Sequence, residues 1–79
     1  MYRHKNIQVR IEKTRSKIVE AMKEMTGYTS AEDLYIYLRT HDVAIGTSTV
    51  YNHLKQMVEN GTVMVRAADR KMLYCLATV

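Results

Sequence analysis

The feature that most constrains this chain is a change of hydrophobic period at Gly61. Up to that point apolar residues recur at helical spacing, and beyond it they fall into short extended runs. The chain has no proline, and its glycines stand at positions 27, 46 and 61, each between periodic segments. They act as punctuation. The first segment, Gln8 to Thr26, carries Ile11, Ile18, Val19, Met22 and Met25 on one side, with charged residues opposite. Gly27 supplies the positive φ that commonly ends a helix. A second helix starts at Ser30, an N-cap followed by Glu32 and Asp33, whose charge suits the free N–H groups of a first turn. Its stripe is Ala31, Leu34, Tyr35 and Leu38, and it is expected to end near His41. After the short apolar piece Val43-Ala44-Ile45, a third helix opens at Thr47 or Ser48 and closes at Asn60-Gly61. Val50, Leu54, Met57 and Val58 share its inner face.

Beyond Gly61, Thr62–Arg66 and Met72–Leu76 are β-prone runs joined by the polar connection Ala67–Lys71, which predicts an antiparallel hairpin. A lone hairpin is marginal in water, so it must lean on the helices. The expected fold class is mainly α with a small β-hairpin (α+β), three helices followed by a two-stranded antiparallel wing. A chain of 79 residues has room for one core. It divides into a basic N-terminal arm, residues 1–9, and a domain, residues 10–79. A domain of this size buries only about 60–65% of its unfolded surface, so its stability margin is thin.

Cys75 is the sole cysteine, which rules out an intrachain disulfide and a four-sulfur zinc site and suits a reducing cytoplasm. The opening residues carry no apolar run of signal-peptide length, and no stretch approaches the roughly 20 apolar residues of a membrane helix. Secretion and membrane insertion are not expected. His4, His41 and His53 are far apart, and no metal-ligand spacing emerges. No catalytic triad, phosphate loop or carboxylate pair appears, so an enzyme is not expected, nor a cofactor or metal. Cys75 and most of the six methionines read as core filling.

The net charge of +4 is unevenly spread. Residues 1–17 carry a local balance of +5, residues 18–65 one of −3, and the tail is positive again through Arg66, Arg70 and Lys71. Basic ends around an acidic middle suit a polyanion, because each phosphate neutralised releases condensed counterions. The same pattern also serves as an ordinary solvated surface.

Three stretches sharpen this reading. Thr29-Ser30-Ala31-Glu32-Asp33-Leu34-Tyr35, then Ser48-Thr49-Val50-Tyr51-Asn52-His53-Leu54, then Val58-Glu59-Asn60-Gly61-Thr62-Val63 stand in the order of a winged helix-turn-helix. They resemble the ferric uptake regulator family, with its "SAEDIY", "ATVYRTL" and "EAGLV" patterns and a wing ending in tyrosine and leucine, like Tyr74 and Leu76. The resemblance covers roughly residues 10–77 and implies binding of double-stranded DNA by a transcriptional regulator. Three departures limit it. Asn52 stands where the family has arginine, the zinc-binding CxxC pairs are absent, and the sequence stops at Val79 without the family's histidine- and carboxylate-rich dimerisation domain. Metal sensing is therefore not implied.

At about 100° per residue, the outer side of the third helix carries Ser48, Asn52, Lys55, Gln56 and Glu59, flanked by Thr49 and Tyr51. Asn and Gln can bond adenine N6 and N7 together, while threonine or tyrosine can meet a thymine methyl. Ser48 and Thr49, at the first turn, can bond phosphate alongside the helix's free N–H groups. Without the resemblance this is an ordinary polar helix face, and Tyr51 an ordinary rim tyrosine. With it, the DNA-contacting set is Thr47, Ser48, Thr49, Tyr51, Asn52, Lys55 and Gln56 on the helix, Arg66, Arg70 and Lys71 on the wing, and Arg3, Lys5 and Arg15 near the N-terminus. A single short helix gives limited affinity, so a homodimer on a palindromic site is expected. A minimal regulator of this kind would suit a phage or mobile element. The competing reading is a protein-interaction module or inhibitor whose winged helix binds a host protein, consistent with Asn52 and the acidic middle.

Overall fold

A computed structural model describes the backbone from Tyr2 to Ala77 and the side chains from Ile11 to Ala77. The described elements are α1 (Tyr2–Met25), β1 (Thr29–Ser30), α2 (Ala31–Thr40), α3 (Thr47–Glu59), β2 (Val63–Ala68) and β3 (Lys71–Leu76). Helix α1 begins at Tyr2, not near Gln8, so its backbone takes in most of the segment expected to be an arm. It ends with Thr26 and Gly27 both at positive φ, 40° and 80°, as a left-handed helix terminus requires. Ser30 caps α2, its Oγ accepting from the Asp33 backbone N–H at 3.1 Å.

The helices meet around one apolar cluster. Ile18, Ala21 and Met22 come from α1, Ala31, Leu34 and Leu38 from α2, Val50, Leu54 and Met57 from α3, with Ile45 and Val63 closing the ends. The stripe foreseen on α1 starts only at Ile18. Ile11 is 39% exposed. The inner faces foreseen for α2 and α3 are those observed, with Val58 and Tyr35 packed at the margin.

The sheet departs from expectation in two ways. It has three antiparallel strands in the order β1-β3-β2, because Thr29 and Ser30 pair with Tyr74 and Leu73. The hairpin ladder also extends to the pair Ala68–Lys71, leaving a turn of only Asp69 and Arg70. Both turn residues have positive φ, 49° and 67°, the backbone of a type I′ turn, whose twist matches that of the flanking strands. The five-residue connection expected from sequence is therefore a two-residue one. Asn60 ties the hairpin to α3, its Oδ1 accepting from the Thr62 backbone N–H at 3.0 Å and from the Thr62 hydroxyl at 2.6 Å.

Alternation along the hairpin sorts its side chains. Val63, Val65, Tyr74 and Leu76 share the face toward the helices, while Met64, Arg66, Leu73 and Cys75 share the outer one. Cys75 is thus half-buried on the outer face and not a core residue. The methionines divide by burial. Met22 and Met57 are buried, whereas Met64 and Met72 are 43% and 50% exposed.

Candidate nucleic-acid interface

Helix α3 is held from behind by Val50, Leu54 and Met57, all at 0% exposure. Thirteen residues make it about 20 Å long. Thr47, Ser48, Thr49, Tyr51, Asn52, Lys55, Gln56 and Glu59 are all exposed. The outward side proposed from the helical wheel is therefore open to solvent in the isolated chain. Its N-terminus differs in character from that of α2. Gly46 provides no side-chain cap, and the first turn holds no acidic residue. The first internal bond runs from the Val50 N–H to the Gly46 carbonyl, so the preceding N–H groups are left for an external acceptor.

The exposed face divides into three parts. Ser48, Asn52, Lys55 and Glu59 are exposed and lie on the side of the helical wheel opposite the core. Tyr51 turns toward the hairpin, where it lines a groove of about 270 Å³ with Arg70, Lys71, Tyr74 and the first residues of α2. Burial, and secondarily Tyr51, raises the pKa of Tyr74 above its ordinary value, which keeps its hydroxyl protonated and able to donate. Thr49 and Gln56 turn the other way, toward α1. With Asn52, His53 and Ile11 they line a cleft of about 240 Å³.

Arg15 bridges that cleft's edge, its Nη2 donating to Oε1 of Gln56. It joins the α3 surface from a helix turn 41 residues earlier, a contact no local pattern foreshadows. Arg66 lies elsewhere. Its guanidinium is 5.3 Å from the centre of the Tyr28 ring on the outer sheet face, apart from the two cations of the turn region. The side chains of Arg3 and Lys5 lie outside the described residues.

One residue important to this surface escaped the sequence reading. His53, weighed there only as a metal ligand, is 7% exposed and sits at the seam of α1 and α3. Its Nδ1 is buried with no hydrogen-bond partner, as is Nε of Arg15. Burial, and secondarily the positive charge of Arg15, lowers its pKa below the usual 6.5. The ring is thus neutral at pH 7. Its spacing carried the signal, since position 53 lies three residues after Val50 and four before Met57, on the core side of the wheel. Among the described residues, no three His, Cys, Asp or Glu side chains are grouped so as to hold a metal ion.

A three-helix core with an exposed, groove-sized third helix beside a β-hairpin defines a winged helix-turn-helix domain. The model of the ferric uptake regulator family matches residues 6–78, and the chain belongs to that family. Among solved structures, FurB of M. tuberculosis, a zinc uptake regulator, matches with a TM-score of 0.82 and 28% identity over 89% of this chain and 55% of its own. The Vibrio cholerae ferric uptake regulator matches with a TM-score of 0.76 and 33% identity over 81% of this chain and 50% of its own. The Campylobacter jejuni peroxide stress regulator shares the fold with a TM-score of 0.79 at 21% identity, over 95% of this chain and 56% of its own. The chain spans about half the length of these structures. No curated protein matches.

Proposed function

We propose that this domain binds double-stranded DNA as part of a transcriptional regulator, laying α3 in the major groove and its hairpin turn against the backbone. The observation that carries the reading is the outward side of α3, exposed along its length while the opposite side is fully buried. Membership in the ferric uptake regulator family supports it. Asn52, at the centre of the open face, is the main base reader. Its amide can donate to N7 and accept from N6 of adenine at once.

Thr47, Ser48 and Thr49, with the uncapped N–H groups of the first turn, take a phosphate on one side. Tyr51, Arg70 and Lys71 take one on the other, across the groove they line. Lys55 adds charge to the centre, Arg15 to the α1 edge, and Arg3 and Lys5 extend the basic run along α1. Arg66, folded back on Tyr28, contributes to the overall potential and makes no direct contact. Two copies on a palindromic site, with half-sites about one helical turn apart, supply the affinity one short helix lacks.

Fluorescence titration against a random duplex at several salt concentrations tests this. Six to eight neutralised phosphates correspond to a log K against log salt slope of roughly −5 to −7. Binding that is absent at low ionic strength, or indifferent to salt, refutes it.

A further inference from the structure

Gln56 is not free in the way Asn52 is. An amide can turn either end toward most partners, but a guanidinium offers donors only. Because Nη2 of Arg15 donates to Oε1 of Gln56, the amide oxygen must face α1. That leaves the Nε2 amine, with two N–H groups, as the uncommitted end of the amide, beside Asn52 and Thr49 in the cleft that Gln56 lines. Arg15 is itself constrained. It is half-buried, its Nε has no contact with solvent, and its charge lies close enough to act on His53.

We propose that Arg15 locks Gln56 into a donor-only reader, which makes this position of α3 select guanine over adenine. Guanine presents two adjacent acceptors, N7 and O6, to the major groove, while adenine presents an acceptor beside the N6 amine. Bidentate recognition of adenine needs the amide oxygen turned to the base edge, and in Gln56 the bond to Arg15 engages one of its two lone pairs and holds the oxygen toward α1. The neighbouring guanidinium also polarises the amide and strengthens its N–H groups as donors. Arg15 is the positioning residue and Gln56 the contact. The two amides of one helix face thereby acquire different preferences, Asn52 for adenine and Gln56 for guanine. This proposal rests on the DNA-binding reading.

The test is selection from a random duplex pool with the wild-type chain, Gln56→Ala and Arg15→Met, followed by competition titrations. Methionine keeps an unbranched apolar stem and removes every donor. The expected result is guanine at the position whose preference Gln56→Ala abolishes. Arg15→Met should raise adenine relative to guanine there by roughly fivefold or more. Replacing that guanine by 7-deazaguanine should weaken the wild type and leave Gln56→Ala unchanged. If melting shows that Arg15→Met does not fold, the 7-deazaguanine comparison decides alone. Adenine at the Gln56-dependent position, or a Gln56→Ala profile identical to wild type, overturns the proposal while leaving DNA binding intact. Absence of salt-sensitive binding by the wild type overturns the DNA-binding reading, and the proposal with it.

Discussion

Substituting Arg70 by glycine should stabilise the fold and weaken its hold on DNA at the same time. Arg70 occupies the second position of the hairpin turn at φ 67°, where a Cβ costs about 1–2 kcal/mol. Glycine removes that strain, but it also enlarges the freedom of the unfolded chain, at a cost of about 0.5–1 kcal/mol. The net gain is about 0.5–1 kcal/mol, which for a domain of this size raises Tm by about 2–8 °C. The same change deletes one cation from the groove beside Tyr51, and the salt slope of duplex binding should shrink by about 0.9. Arg70→Ala separates the two effects, since it keeps the Cβ and loses the charge. It should show the smaller slope without the gain in Tm. Thermal melting by circular dichroism and duplex titration read both quantities. A Tm for Arg70→Gly at or below wild type would refute the strain argument, and an unchanged slope would refute the placement of the turn against the backbone.

Leu54→Ala removes a side chain with no exposure at the centre of α3 and should cost about 2–5 kcal/mol in urea denaturation. A loss below 1 kcal/mol would mean that α3 is not anchored as described. Ser30→Ala deletes the cap of α2 and should cost about 1 kcal/mol by the same assay. Because the pKa of His53 is lowered in the fold, the unfolded chain binds the proton more readily than the folded one. Its contribution to stability is therefore present above pH 6.5 and is lost as the pH falls through the lower folded value. Urea midpoints should drop between pH 7 and pH 5, and His53→Leu should flatten that drop; equal pH dependence in the two chains would show that His53 is not the source. Asn52→Ala should relax base preference while Lys71→Ala weakens all duplexes about equally, and matching behaviour across a panel of sites would contradict that division.

What could be read in advance was set by neighbours in sequence. Gly27, Ser30 and Gly61 mark helix ends because the backbone at a terminus needs particular residues there, whatever the rest of the fold does. The inner faces of α2 and α3 were equally legible from periodicity. Interactions between distant segments were not. Thr29 and Ser30 form a strand only because β3 passes beside them, and two residues carry no period. The turn Asp69-Arg70 lacks the asparagine and glycine that usually announce a type I′ geometry, so the ladder's full length was hidden. His53 has a polar side chain that masks what its position on the wheel shows, a place on the inward side. Arg66 and Arg15 look alike in sequence, and only register and helix packing send one to the Tyr28 ring and the other to Gln56.

Mapping backbone amide shifts of the chain on titration with a duplex recovered by selection tests the central claim most directly. The account expects the largest changes at Ser48, Asn52 and Lys55 and through the Asp69–Lys71 turn, with Met64 and Cys75 on the outer sheet face little affected. Changes concentrated on that sheet face, or none along α3, would contradict it.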